Sequence, residues 1–200
     1  MQTISSAGLA SPLPILWQTF TPAQSGAVTA PIATLAGEPT ANQRIACAPL
    51  TNSYAGTILV VDRGTCSIST KFFHAAAAGA VIAIVADNVA GTAPPSFSSA
   101  GEPQSIPGYS IRRADGTTLK ALAGQQATID PSQSIDLYMS MAGTSSRGPS
   151  YSFQTIKPDL GAPGASISAE SGTGTGTTPF GGTSGAAPMV SGAAALLLGA

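Results

Sequence analysis

Residues 54–88 read YAGTILVVDRGTCSISTKFFHAAAAGAVIAIVADN, and no other stretch constrains the fold of this 200-residue chain so closely. Two apolar runs, residues 57–62 and 80–87, are rich in β-branched side chains and bounded by Gly, Asp and Asn, the pattern of strands buried on both faces. Between them, Ser67 or Ser69 can cap a helix that runs through Ala78, and Gly79 can end it. A strand, a helix and a second strand of this length form a right-handed crossover, so the two strands are parallel neighbours in an α/β fold.

Downstream, IPGYSIRRADGTTLKALAGQQATID repeats the scheme. It predicts a short strand, an Asp-Gly turn at Asp115 and Gly116, and a helix over residues 117–123 closed by Gly124. A compact α/β module over about residues 44–130 follows, left by the alternating strand IDLYMSMAG. From Thr144 the composition shifts to Gly, Ser, Thr and Pro, which marks a second structural unit.

Composition narrows the function. Charged residues make up only 8% of the chain, eight Lys and Arg against nine Asp and Glu, so no basic stripe is available for nucleic acid. No apolar run approaches the roughly 20 residues that span a bilayer, and the start lacks the basic cluster and apolar core of a secretory signal. The hydrophobic content of 43% is enough for a real core. Cys47 and Cys66 flank one strand: in an exported protein they can pair, and otherwise they are two reduced, partly buried thiols. These two cysteines and the single His74 are too few for a metal site at standard spacing.

The segment PFGGTSGAAPMVSGAAALLLG places Ser184 between a glycine-rich loop and a long apolar helix. Gly181 and Gly182 let the backbone turn sharply and a peptide approach closely. Ser184 then falls in the first residues of the helix, where its own N–H and the positive helix end can face a developing oxyanion. Pro188 is expected in the first turn, where its missing N–H matters least. The apolar residues on every face imply a helix enclosed by the rest of a domain. Set against this is the ordinary use of a serine before an apolar helix, as an N-cap. The run SGTGTGTTPFGG has no Lys where a phosphate-binding P-loop needs one, so it is expected as a surface turn.

Two resemblances sharpen the picture. VVDRGTCSISTKFFHAAAAGAVIAIV, with IPGYSIRRADGTTLKALAG after it, resembles a protease-associated (PA) domain. The resemblance implies a noncatalytic lid or substrate-recruiting insert in which Asp62 and Arg63 fix a loop by hydrogen bonds and charge pairing. The last third resembles the C-terminal part of subtilisin-like serine proteases: Ser145 to Pro149 (SSRGP), Lys157 to Gly164 (KPDLGAPG) and Gly182 to Pro188 (GTSGAAP) occur in that family's order. It implies that Ser184 is the catalytic nucleophile, with Gly182 and Thr183 in the nucleophile loop, and that the substrate is a protein or peptide. Gly185 and Met189 depart from the family's usual Met and His, and neither position carries a triad role.

The resemblance also implies an arrangement: residues 1–43 as a subtilase segment leading into the insertion, 44–130 as the PA-like domain, and 131–200 as the end of an otherwise incomplete subtilisin-like α/β catalytic domain. Its other expectations are secretion of the parent protein, no required cofactor, and calcium only as a stabiliser whose ligands are not placed here. A serine nucleophile needs a base, which this family supplies as a His held by an Asp. His74 lies in a helix of the module and is expected to be a packing or solvated residue. The Asp, His and oxyanion Asn motifs are absent from the 200 residues, so the expectation is a protease fragment inactive by itself. The alternative is a noncatalytic PA-type peptide-binding or protein-binding module with a degenerate protease remnant.

Overall fold

The computed structural model describes residues 1–135, 145–146, 148–169 and 171–199, with backbone alone at 165–169 and 178–181. The chain divides into two compact units, Met1–Met139 and Ser140–Ala200.

The first unit is a seven-stranded closed barrel. Its strands are β1 (Gln2–Ser6), β2 (Leu13–Trp17), β3 (Val28–Thr34), β4 (Ile58–Asp62), β5 (Ile82–Ala86), β6 (Gly108–Ile111) and β7 (Gln126–Ser134), arranged in space as β1-β2-β6-β5-β4-β3-β7. The middle of the sheet, β3-β4-β5-β6, is parallel, and antiparallel pairing of β7 with both β1 and β3 closes the barrel. Helix α1 (Ile68–Ala77) is the expected crossover between β4 and β5, which pair in parallel from Ile58↔Ile82 to Asp62↔Ala86.

The continuous apolar runs are explained by parity. Ile58, Val60, Ile82, Ile84 and Ala86 point into the barrel with Ile4, Ile15, Tyr109 and Ile129, while Leu59, Val61, Ala83 and Val85 point outward beneath Phe72 and Ala75 of α1. Both faces are therefore dry, and polar alternation has no place in these strands. Ser67, the nearer of the two expected caps, accepts the Thr70 N–H at 3.0 Å, and Gly79 follows the helix at φ 91°.

The second helix of this unit departs from expectation. Helix α2 runs over Arg113–Ala121, so Asp115 and Gly116 lie inside it rather than in a turn. Asp115 sits in the first helical turn, where a carboxylate suits the helix dipole, and it binds Arg112 through two bonds of 2.6 and 2.8 Å. Gly116 is there for closeness: a Cβ on it would come within 2.5 Å of the Ala86 Cβ of β5. The helix presses on the sheet at that point and sends Leu119 into the barrel core.

Residues before 44 contribute β1, β2 and β3 to this same barrel. Met1 and Ile135 exchange both backbone bonds, at 2.9 and 2.7 Å, so the chain comes into the barrel and leaves it at adjacent points. Of the expected strand IDLYMSMAG, residues 136–143 lie outside the described residues, as does the arginine of the SSRGP motif, Arg147.

In the second unit, β8 (Ala165–Ala169) and β9 (Thr177–Gly181) form an antiparallel hairpin, followed by α3 (Thr183–Leu198). The enclosed helix expected from the sequence is not found within this unit. Gly185 is its one buried residue among those described, and Leu196, Leu197 and Leu198 are 78–90% exposed. One two-stranded hairpin is too small to cover a 16-residue apolar helix. Pro188 is also displaced from expectation: with the helix starting at Thr183 it is the sixth residue, in the second turn, so the Ser184 carbonyl is left without its usual i+4 donor.

Candidate active site and PA module

The nucleophile candidate is built by a strand, one glycine and a helix. β9 ends at Gly181, and Gly182 turns the chain at φ 88°, where only glycine sits without strain. Its N–H donates to the Gly164 carbonyl at 2.7 Å, tying the turn to the APG segment, and its carbonyl accepts the N–H groups of Gly185 and Ala186. Gly182 is thus the residue at the cap position of α3, with Thr183 and Ser184 the first two helical residues. Ser184 is exposed, and as the second helical residue its N–H has no partner within the helix. An exposed hydroxyl with an adjacent outward N–H at a helix start is what attack on a carbonyl and retention of the resulting oxyanion require.

The only histidine, His74, lies on α1, where its Nδ1 is 2.9 Å from the Ala46 carbonyl, a packing role in the first unit. Among the described residues no group of three or more His, Cys, Asp or Glu side chains is placed to hold a metal ion, and no helix is long and apolar enough to cross a membrane.

In the first unit, the Asp-Arg pair at the end of β4 braces loops. Asp62 binds Lys120 of α2 at 2.7 Å, and Arg63 binds Asp87 at 2.8 Å while lying over the Phe97 ring at 5.0 Å. Cys47 and Cys66 form a disulfide, which settles the alternative the sequence left open. A cleft of about 340 Å³ opens at the carboxyl ends of β3 and β4, lined by Thr34, Arg44, Val60, Asp62 and Lys120 among others.

Two buried charges were not singled out in the sequence. Glu38 is 1% exposed. Burial alone would raise its pKa, but the N–H and hydroxyl of Thr51, the Asn52 N–H and the Tyr54 hydroxyl all donate to the carboxylate and hold the value down at about 2. Tyr54 is pushed up to about 12 by burial and by that same carboxylate. Lys71, wholly buried on α1, is the second. A Glu before Pro39 and a Lys in an otherwise apolar helix face gave no periodic signal, because both are satisfied by loop backbone distant in sequence.

Residues 25–119 match the PA domain family model. The chain is 32% identical over 150 residues to the minor extracellular protease Vpr of Bacillus subtilis (strain 168), an alignment that takes in 71% of this chain and 18% of that protein. Among solved structures it is similar to BSAP, a zinc aminopeptidase from Bacillus subtilis (25% identity, TM-score 0.51, 65% of this chain and 29% of that one). It is also similar to an aminopeptidase from Aneurinibacillus sp. strain AM-1 (21% identity, TM-score 0.50, 65% and 30%). The chain therefore carries a PA domain of mixed α/β architecture. It is similar to proteins described as a protease and as aminopeptidases, and it spans less than a third of the length of each of these relatives.

Proposed function

We propose that this chain is the PA-bearing and nucleophile-bearing part of a secreted subtilisin-like serine endopeptidase. Ser184 attacks the carbonyl of a peptide bond in a protein or peptide substrate, and its proton passes to a histidine contributed from outside these 200 residues. The Ser184 N–H helps hold the oxyanion of the tetrahedral intermediate, and Gly182 and Thr183 shape the loop the substrate approaches. Collapse of that intermediate expels the amine and leaves an acyl group on Ser184, which water then removes. The observation that carries this reading is the exposed Ser184 at the second helical position, behind a positive-φ glycine that occupies the cap site.

The arrangement proposed with it is an insertion. The barrel's first and last strands meet at Met1 and Ile135, so the unit fits into a host loop, with the residues that follow β7 continuing the catalytic domain. The uncovered leucines of α3 are then the surface on which the remainder of that domain packs.

The test is cleavage of casein and of short chromogenic peptides by the purified 200-residue chain and by the same chain joined to a base-bearing protease segment. The reading requires activity only in the second, abolished by Ser184→Ala. Activity in the second that survives Ser184→Ala refutes it.

A second reading, a noncatalytic binding module, is favoured by the cleft at the ends of β3 and β4. It requires that the barrel alone bind a peptide, and that the joined protein stay inactive.

A further inference from the structure

Lys71 is a fully buried cation that neither the nucleophile nor the cleft uses. Its Nζ donates to the Ile45 carbonyl and lies 3.3 Å from Cys47 Sγ, one half of the disulfide to Cys66. Burial pulls its pKa down to about 8, with Asp62 acting in the opposite direction. The other charged groups nearby are committed elsewhere. Asp62 binds Lys120, the His74 ring nitrogen meets the Ala46 carbonyl, and Glu102 binds the Ser69 and Thr70 hydroxyls at the start of α1. A buried ammonium whose neighbours are one carbonyl and a neutral sulfur is short of a counter-charge, and opening the disulfide would create one on that sulfur.

The backbone on either side of the bond is strained as well. The residue before each cysteine sits in the left-handed region without being glycine, Ala46 at φ 55° and Thr65 at φ 58°. For a β-branched threonine this is an outlier, and the Cys66 N–H closes a three-residue turn around it by donating to Gly64 at 2.8 Å. Both cysteines are partly exposed, so a reductant can reach the bond.

We propose that Cys47–Cys66 is a thiol–disulfide exchange site, in which an external dithiol attacks Cys66 Sγ and Cys47 leaves as a thiolate held by the Lys71 ammonium. The S–S bond breaks with its electron pair on Cys47 Sγ, and a mixed disulfide forms between Cys66 and the reductant. The second thiol of the reductant displaces Cys66 as a thiolate that takes a proton from water, and the reductant departs as its own disulfide with two electrons transferred. Stabilising the reduced form in this way makes the bond easier to open. Removing it frees Ala46 and Thr65 from the constraint that ties the loop after β4 to residues 43–47.

The experiment uses the full chain. In Cys66→Ser, alkylation of Cys47 by iodoacetamide is followed against pH. The proposal expects a titration midpoint well below the ordinary thiol value of about 8.5, returning to it when Lys71→Met is added. Separately, dithiothreitol redox buffers at pH 7 read the equilibrium between disulfide and dithiol, with Lys71→Met requiring at least about tenfold stronger reducing conditions. Thr65→Gly, which relieves the turn while leaving the core intact, shifts the equilibrium the same way and decides the matter if Lys71→Met does not fold. A Cys47 midpoint at or above 8.5 in Cys66→Ser overturns the proposal.

Discussion

Helices α1 and α3 look alike on paper, each an alanine-rich run opened by serine, and the structure uses the two serines in opposite ways. Ser67 stands at the cap position, extended, with its hydroxyl bound to the Thr70 N–H, and α1 behind it is clamped onto the barrel by Phe72 and Ala75. Ser184 stands two residues further along its own helix, because Gly182 has taken the cap position, and its hydroxyl remains on the surface. A cap serine is consumed by the fold; a serine at the second helical position keeps its hydroxyl free of the cap. The shift of register, set by one positive-φ glycine, separates the capping role of Ser67 from the catalytic role proposed for Ser184.

The sharpest way to break the comparison is to delete both hydroxyls. In the chain joined to a base-bearing segment, Ser184→Ala is expected to lower kcat by about 10⁴-fold or more with no change in the melting temperature of the barrel, read by peptide hydrolysis and calorimetry. The two helices should also differ in what their apolar side chains contribute. Phe72→Ala is expected to destabilise the barrel by about 3–5 kcal/mol in urea unfolding, whereas Leu197→Ala in the 200-residue chain stays within about 0.5 kcal/mol.

Glu38 gives the next effect. Its folded pKa of about 2 lies below the ordinary 4.5, so its contribution is complete above pH 4.5 and is lost as the pH falls through about 2. Glu38→Gln is expected to cost about 1–3 kcal/mol at neutral pH and to flatten that acid limb, measured as urea midpoints across the pH range. Smallest is Ser67→Ala, about 1 kcal/mol in barrel stability with peptidase activity unchanged; a loss of activity comparable to that of Ser184→Ala would erase the distinction between the two serines.

How much of this was legible depended on whether the relevant contacts are local. The β4-α1-β5 unit could be read directly, since strands dry on both faces leave an unmistakable apolar run and Ser67 and Gly79 bracket the helix. The α2 helix was read four residues late, because Asp-Gly is a turn signal by local propensity and only the approach to Ala86 reveals why Gly116 belongs in a helix. Barrel closure could not be read at all: it rests on pairs such as Gln2↔Ser134 and Ile15↔Ile111, whose separation in sequence leaves no periodic trace. At the candidate site, motif order located Ser184, but its place inside the helix rather than at the cap depends on the Gly182 dihedral. Lys71 escaped notice because a lysine in a helix reads as a solvated residue until the chain from Ile45 to Cys47 folds over it.

The mutual bonds of Met1 and Ile135 have a consequence for how such a protein is assembled over evolutionary time. Partners that exchange both backbone bonds in an antiparallel pair stand about 5.5 Å apart at Cα, less than two residues of extended chain. A module whose two ends nearly touch can be spliced into a surface loop of another enzyme, or cut out of it, while the flanking backbone of the host scarcely moves. On the insertion proposed above, the barrel is a cassette, portable between hosts whose own chemistry need not be related.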